Sequence, residues 1–143
     1  MSAAEKIRED AQAALKGGDR RLASALRMIQ DVLQQDAKLG KGDEVAVLQR
    51  ERKKRMEAAK AFADAGRYEQ AESERFEAEL ITAYLPAQLS DEELASLVSE
   101  AISESGATEQ KQMGQVMGLL KERVGGRADG KRVSAEVQKQ LGA

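Results

Sequence analysis

Apolar residues recur every three or four positions along most of the chain, which is the spacing of amphipathic helices rather than strands. The stretch after Asp19 shows this best, because an apolar stripe runs from Leu22 to Ala37 and Gly40 follows as a helix stop. No run of alternating apolar and polar residues predicts a strand, and no segment has low complexity. The pattern predicts an all-α protein.

Capping residues and glycines divide this pattern into seven predicted helices. Ser2 and Ser90 each have a glutamate three residues later, which is the spacing of a capping box. Thr108 is the predicted N-cap of the sixth helix. The predicted helices cover about residues 3–16, 19–39, 43–65, 68–84, 91–105, 109–124 and 131–142.

The single proline marks the predicted domain boundary. Pro86 disfavours helix at the residue before it, and the following segment is short and polar up to Ser90. We therefore predict a helical amino-terminal domain of about four helices in a hairpin-like arrangement, residues 1–85. A small three-helix carboxy-terminal domain, residues 86–143, is predicted to follow.

Composition limits the available chemistry. The 143 residues include no Cys, no His and no Trp, with only two Phe and two Tyr. Disulfides, thiolate chemistry, the usual zinc ligands and the commonest general base are therefore missing. We therefore predict no catalytic residues, no metal and no cofactor. We expect the core to consist of the aliphatic residues together with the few aromatic residues, Tyr68 included.

The sequence also gives an expectation for location. No apolar run approaches the roughly 20 residues that a membrane-spanning helix needs. The amino terminus lacks the basic and apolar regions of a signal peptide. We expect a cytoplasmic protein without a membrane partner.

Charge is unevenly distributed although the formal net charge is only −2. Residues 1–85 balance 16 basic against 16 acidic side chains, and residues 86–110 hold six acidic and no basic ones. Residues 111–143 hold seven basic and three acidic side chains. A local positive field is thus available to a polyanion, while the average argues against strong nonspecific nucleic-acid binding.

Basic and glycine residues gather at the predicted turn between the last two helices. Backbone N–H groups, a helix N-terminus and guanidinium groups together can bind phosphate. The alternative is an ordinary turn with solvated charges, and the spacing of a Walker loop is missing. The candidate tRNA- or phosphate-binding residues are Arg123, Gly125, Gly126, Arg127, Gly130, Lys131 and Arg132.

A pair of glycines and a second group of basic residues can each be interpreted in two ways. Gly114 and Gly118 lie four apart inside a predicted helix, which favours close helix packing or, alternatively, close approach of an RNA backbone. A secondary basic patch is either a solvated helix face, supported by pairs such as Glu51 with Arg55, or a set of phosphate contacts. Its members are Arg50, Arg52, Lys53, Lys54 and Arg55.

Two sequence motifs resemble the GatB/YqeY family. They are Tyr84-Leu-Pro-Ala-Gln-Leu-Ser-Asp-Glu-Glu-Leu, and Met113-Gly-Gln-Val-Met-Gly followed by Gly126-Arg-Ala-Asp-Gly. The resemblance covers the whole chain: a YqeY-like amino-terminal part, then a domain similar to the tail of the aspartyl/glutamyl-tRNA amidotransferase B subunit. In that subunit the tail contacts the outside of the tRNA, away from the chemistry.

The resemblance and the composition together leave three functional hypotheses. The leading one is a non-catalytic, tRNA-associated accessory protein of translation. The second is a protein–protein adaptor that docks a translation enzyme without touching RNA, which is favoured by the near-neutral net charge and the few aromatic residues. The third is the family-level activity, carbon–nitrogen ligation with glutamine as the amide donor, although the activating domain and the amidase Ser/Ser/Lys machinery have no counterpart in this sequence.

Overall fold

A computed structural model describes residues 2–40 and 43–142, and every regular element in this part of the chain is helical. This confirms the all-α prediction. The helices are α1 (Ala3–Lys16), α2 (Arg20–Lys38), α3 (Glu44–Asp64), α4 (Tyr68–Thr82), α5 (Asp91–Ser105), α6 (Met113–Val124) and α7 (Gly130–Gly142). A 3₁₀ turn, Gln110–Gln112, precedes α6.

The helices form two compact units, unit 1 (Met1–Leu85) and unit 2 (Pro86–Ala143). In unit 1, α1 packs mainly on α2 and α3 mainly on α4, whereas α2 and α3 touch over a smaller area. In unit 2, α5, α6 and α7 pack on one another. Each unit has its own hydrophobic core.

Aliphatic side chains fill both cores, as the composition predicts. The fully buried residues with the largest side chains in unit 1 are Ile7, Leu26, Leu48 and Ile81. Their counterparts in unit 2 are Leu120, Val98, Val116 and Val137. The aromatic prediction is wrong for Tyr68, whose side chain is mostly exposed at the start of α4.

The cap of α5 is a reciprocal one, as predicted. The Ser90 hydroxyl accepts from the Glu93 N–H at 3.1 Å, and the Glu93 carboxylate accepts from the Ser90 N–H at 3.0 Å. Hydrogen bonds to the Glu93 carboxylate, first from the Ser90 backbone and then from the Ser90 side chain, lower the pKa of the Glu93 carboxyl. At the other end, Gly106 ends α5 in the left-handed conformation, with φ of 71°.

The start of α6 differs from the prediction, because Thr108 is not its N-cap. A 3₁₀ turn intervenes, and α6 begins only at Met113. The Gln112 side-chain oxygen reaches back and accepts from the Thr108 N–H at 2.8 Å and from the Glu109 N–H at 3.1 Å. The Gln112 side chain thus closes the 3₁₀ turn onto the backbone before it, and the Thr108 side chain does not cap α6.

None of the described helices is both long enough and apolar enough to cross a bilayer.

Candidate nucleic-acid interface

The glycine-rich turn joins α6 to α7. Gly125 follows α6 with a φ of 58°, a backbone conformation that glycine adopts without strain. Gly126 is buried, and Gly130 is the first residue of α7. The turn thus brings the carboxyl end of one helix close to the amino end of the next, as the sequence predicts.

The arginines of this turn are engaged within unit 2. Arg127 donates through Nη2 to the Arg123 carbonyl at 2.7 Å and through Nε to the Val124 carbonyl at 3.3 Å, so it covers the last carbonyls of α6. Arg132 donates to the Leu89 carbonyl at 2.9 Å and to Asp91 at 3.0 Å. Arg123 pairs with Glu104 on α5.

A carboxylate of the protein already occupies the amino end of α7. Asp129 accepts from the Arg132 N–H at 2.8 Å, which is the position of an N-cap. A phosphate at this helix end would have to displace the Asp129 carboxylate. The Lys131 side chain, by contrast, is exposed and makes no hydrogen bond or ion pair within the part of unit 2 that the structure describes.

The outward face of α6 is open. Gly114 and Gly118 are exposed, and a Cβ added at either would meet no atom within 4 Å. Neither glycine has a positive φ. The prediction that they permit close helix packing is therefore wrong for the described residues of this chain, since nothing in that part packs against them.

Exposed lysines lie on the same line as these glycines. Lys111, Gly114, Gly118, Lys121 and Gly125 are separated by three or four residues and are all exposed, so they follow one side of α6 and the turn before it. We call this line the glycine–lysine face. The Lys121 side chain makes no hydrogen bond or ion pair within the described part of unit 2, and the Lys111 side chain pairs with the exposed Glu109 at 3.1 Å.

The spacing of the buried residues in α6 indicates which side of the helix Gly114 and Gly118 occupy, and this was not used in the prediction from sequence. Val116, Leu120 and Val124 face the core at intervals of four residues. Gly114 and Gly118 each lie two residues from a member of this series, which places them on the opposite side of the helix. The sequence alone therefore contained the information that the glycines face outward.

The secondary basic patch divides between two sides of α3. Arg52 donates to the Thr82 hydroxyl at 2.8 Å, and Arg55 pairs with Glu77 at 2.6 Å, so both point towards α4. Arg50, Lys53 and Lys54 instead line a groove beside α2. The patch is thus neither one solvated face nor one cationic surface.

Arg55 stands among three carboxylates. Besides Glu77, it lies 3.5 Å from Glu74 and 3.5 Å from Glu51, so the predicted pair of Glu51 with Arg55 is confirmed. Burial raises the pKa of the Glu77 carboxyl, and this effect exceeds the opposing effect of Arg55. We call Glu51, Arg55, Glu74 and Glu77 the arginine–carboxylate cluster.

Among residues 2–40 and 43–142, no group of three or more acidic side chains is arranged to hold a metal ion.

These features define a helical protein of two units with cationic and glycine-lined faces on its described surface. The chain belongs to the YqeY-like protein family, whose model matches residues 4–141. A comparison with curated proteins found no match.

Proposed function

We propose that this YqeY-like protein is a non-catalytic, tRNA-associated accessory module. In this proposal residues 1–85 are the YqeY-like amino-terminal domain, and residues 86–143 correspond to the amidotransferase tail that the two motifs resemble. Unit 2 contacts the tRNA backbone through the glycine–lysine face. The observation that carries the proposal is that Gly114 and Gly118 are exposed and that a Cβ added at either would meet no atom within 4 Å.

Both glycines lower the stability of α6 without serving its packing. A glycine inside a helix costs about 1 kcal/mol relative to alanine, and Gly118 lies in the middle of α6. Gly114 is the second residue of the helix, where the cost is smaller. Since an added Cβ would meet nothing, the fold gives no reason for this loss, whereas close approach of another molecule gives one.

The neighbouring charges favour a polyanion as that molecule. Lys111 and Lys121 flank the two glycines and lie ten residues apart, which is roughly 15 Å along a helix. Their ammonium groups suit phosphate oxygens, while the bare helix between them lets a backbone approach. Such contacts supply affinity and salt dependence but little sequence selectivity.

In this proposal only one residue of the glycine-rich turn contacts phosphate, and the others maintain the structure of the turn. Lys131 is exposed and contacts phosphate directly. The side chains of Arg123, Arg127 and Arg132 hold the turn and its neighbours in place, because each donates to a group within unit 2. Gly125, Gly126 and Gly130 give the turn its shape.

Charge reversal at Lys121 is expected to weaken tRNA binding. Lys121→Glu removes a phosphate contact and adds a repulsive charge, so we expect about a tenfold loss of affinity for bulk tRNA and a log–log salt slope reduced in magnitude by about one. Fluorescence anisotropy with labelled tRNA measures both. Lys139→Glu, at an exposed lysine of α7, is the matched control and should leave affinity within about twofold. Equal effects of the two variants would contradict the assignment of this face.

Filling the glycine face is expected to raise stability and lower affinity together. Gly118→Ala should stabilise unit 2 by about 1 kcal/mol, because alanine is the better helix former and its Cβ meets open space. The same methyl group should hinder close approach of the tRNA backbone, and Gly118→Leu should hinder it more. Chemical denaturation and tRNA titration of the same preparations measure the two effects. Unchanged affinity in Gly118→Leu would show that the glycine serves no contact with RNA.

A further inference from the structure

Unit 1 has a groove of its own, built from residues that take no part in the glycine–lysine face. It has a volume of about 550 Å³ and runs between α2 and α3. It exists because these two helices touch over a small area, while each packs mainly on another partner. Three residues supply the apolar part of the groove: Val32 on α2, Leu39 at the carboxyl end of α2, and Val47 on α3.

Leu39 is the unusual residue of this groove. Its side chain is 74% exposed, the highest value among the large hydrophobic residues that the structure describes as exposed. It follows the last residue of α2 and lies beside the apolar groove rather than packing into the core. An exposed leucine next to apolar surface is typical of a contact with another protein.

The charges that solvent reaches in this groove are mainly positive. The side chains of Arg50 and Lys54 are 64% and 75% exposed, and the exposed Lys53 side chain makes no hydrogen bond or ion pair to any described residue. Asp36 and Glu51, which pair with Arg50 and Lys54, are each only 13% exposed. Glu57 is the exposed carboxylate of the lining.

We infer that this groove docks an acidic amphipathic segment of a partner protein. The segment places an apolar side chain against Leu39 and Val32, and its carboxylates meet Lys53, Lys54 and Arg50. A helix with one apolar and one acidic face has this chemistry. RNA fits less well, since the groove offers no aromatic side chain for base stacking and brings Glu57 towards the phosphates.

Selection from random peptides tests the chemistry of the occupant without presupposing a partner. A phage-displayed peptide library is selected on the full-length protein and counter-selected on a Leu39→Ser, Lys53→Glu double variant. The expected consensus combines leucine, isoleucine or phenylalanine with several Asp or Glu residues. A basic or purely polar consensus, or no peptide that depends on these two positions, would overturn the inference.

Single variants then locate the contact, with matched controls elsewhere in unit 1. The consensus peptide should bind about tenfold more weakly to Lys53→Glu and to Leu39→Ser. Lys60→Glu, on the same helix outside the groove, and Leu15→Ser, at another exposed leucine, should each change its affinity by less than about twofold. Circular dichroism confirms that the variants are folded, which is expected because all four side chains are exposed.

Two other occupants have distinct outcomes in the same experiments. If Lys53→Glu weakened binding of bulk tRNA while Lys60→Glu did not, the groove would belong to RNA and the inference would fail. If Leu39→Ser abolished self-association seen by analytical ultracentrifugation, a second copy would be the occupant, and the inference would fail as well. Neither outcome affects the tests at Lys121 and Gly118.

Discussion

Arg55→Met is expected to destabilise unit 1 by about 3 kcal/mol at pH 7. The Arg55 side chain is only 17% exposed and is the cation of the arginine–carboxylate cluster. Its loss leaves Glu51, Glu74 and Glu77 partly buried beside one another with only more distant cations, such as Lys54 at 3.9 Å from Glu51. Breaking a buried pair from one side costs 3–5 kcal/mol in fully buried cases. Urea denaturation followed by circular dichroism measures the change.

The loss caused by Arg55→Met should shrink as the pH falls from 7 towards the range in which Glu77 binds its proton. Burial already raises the pKa of Glu77 in the native protein, so over the interval above its ordinary pKa the folded state binds more protons than the unfolded state. Its contribution to stability therefore rises as pH falls. Arg55 opposes this rise, so without it the pKa of Glu77 is higher still, and protonation of Glu77 relieves its repulsion with the neighbouring carboxylates.

A second arginine of the same helix provides the control. Arg50 is mostly exposed and pairs with Asp36 at 3.5 Å, so Arg50→Met should change stability by less than about 1 kcal/mol. Comparable losses for both variants, or a loss for Arg55→Met that grows towards low pH, would contradict the importance given to the cluster.

Leu120→Ala is expected to lower the free energy of unfolding of unit 2 by about 3 kcal/mol. Leu120 is fully buried in α6, among the aliphatic side chains of α5 and α7. Leucine-to-alanine changes in cores cost 2–5 kcal/mol, because apolar burial is lost and a cavity remains. Proteins have a free energy of unfolding of 0.05–0.15 kcal/mol per residue, so that of a unit of this size is only about 3–9 kcal/mol in total. The variant should therefore be close to unfolding in unit 2.

Amide hydrogen exchange resolves this effect along the chain. Peptides from α5, α6 and α7 should exchange faster in Leu120→Ala, by a factor of about 150 where exchange needs global opening of the unit. Leu119→Ala changes the neighbouring, half-buried leucine and should accelerate exchange much less. Equal acceleration in the two variants would show that Leu120 is not a central core residue.

The helices and their ends were predictable because their signals are local. Ser90 and Glu93 cap α5 through neighbouring atoms, and Asp43 caps α3 by accepting from the Ala46 N–H at 3.1 Å. Gly66 and Gly106 have positive φ at the positions where the sequence predicted helix ends. The start of α6 was missed because the Gln112 side chain accepts from the Thr108 and Glu109 N–H groups, and a 3₁₀ turn forms before the helix.

The partners of the basic residues were not predictable, because they lie far away in sequence. Arg132 binds a carbonyl 43 residues away, and Arg55 meets carboxylates 19 and 22 residues away. A cluster of cations in sequence therefore did not indicate which ones face solvent. Lys121, which lies outside the predicted set of phosphate contacts, became a candidate only once the outward face of α6 was known.

The measurement that tests the central proposal most directly is a titration of purified full-length protein with bulk tRNA across a series of salt concentrations. The proposal predicts micromolar or tighter binding at low salt. Contacts from Lys111, Lys121 and Lys131 correspond to about three released counterions, so log affinity should fall with log salt at a slope of about −2 to −3. No binding at low salt, or binding without salt dependence, would contradict a tRNA-contacting role for unit 2.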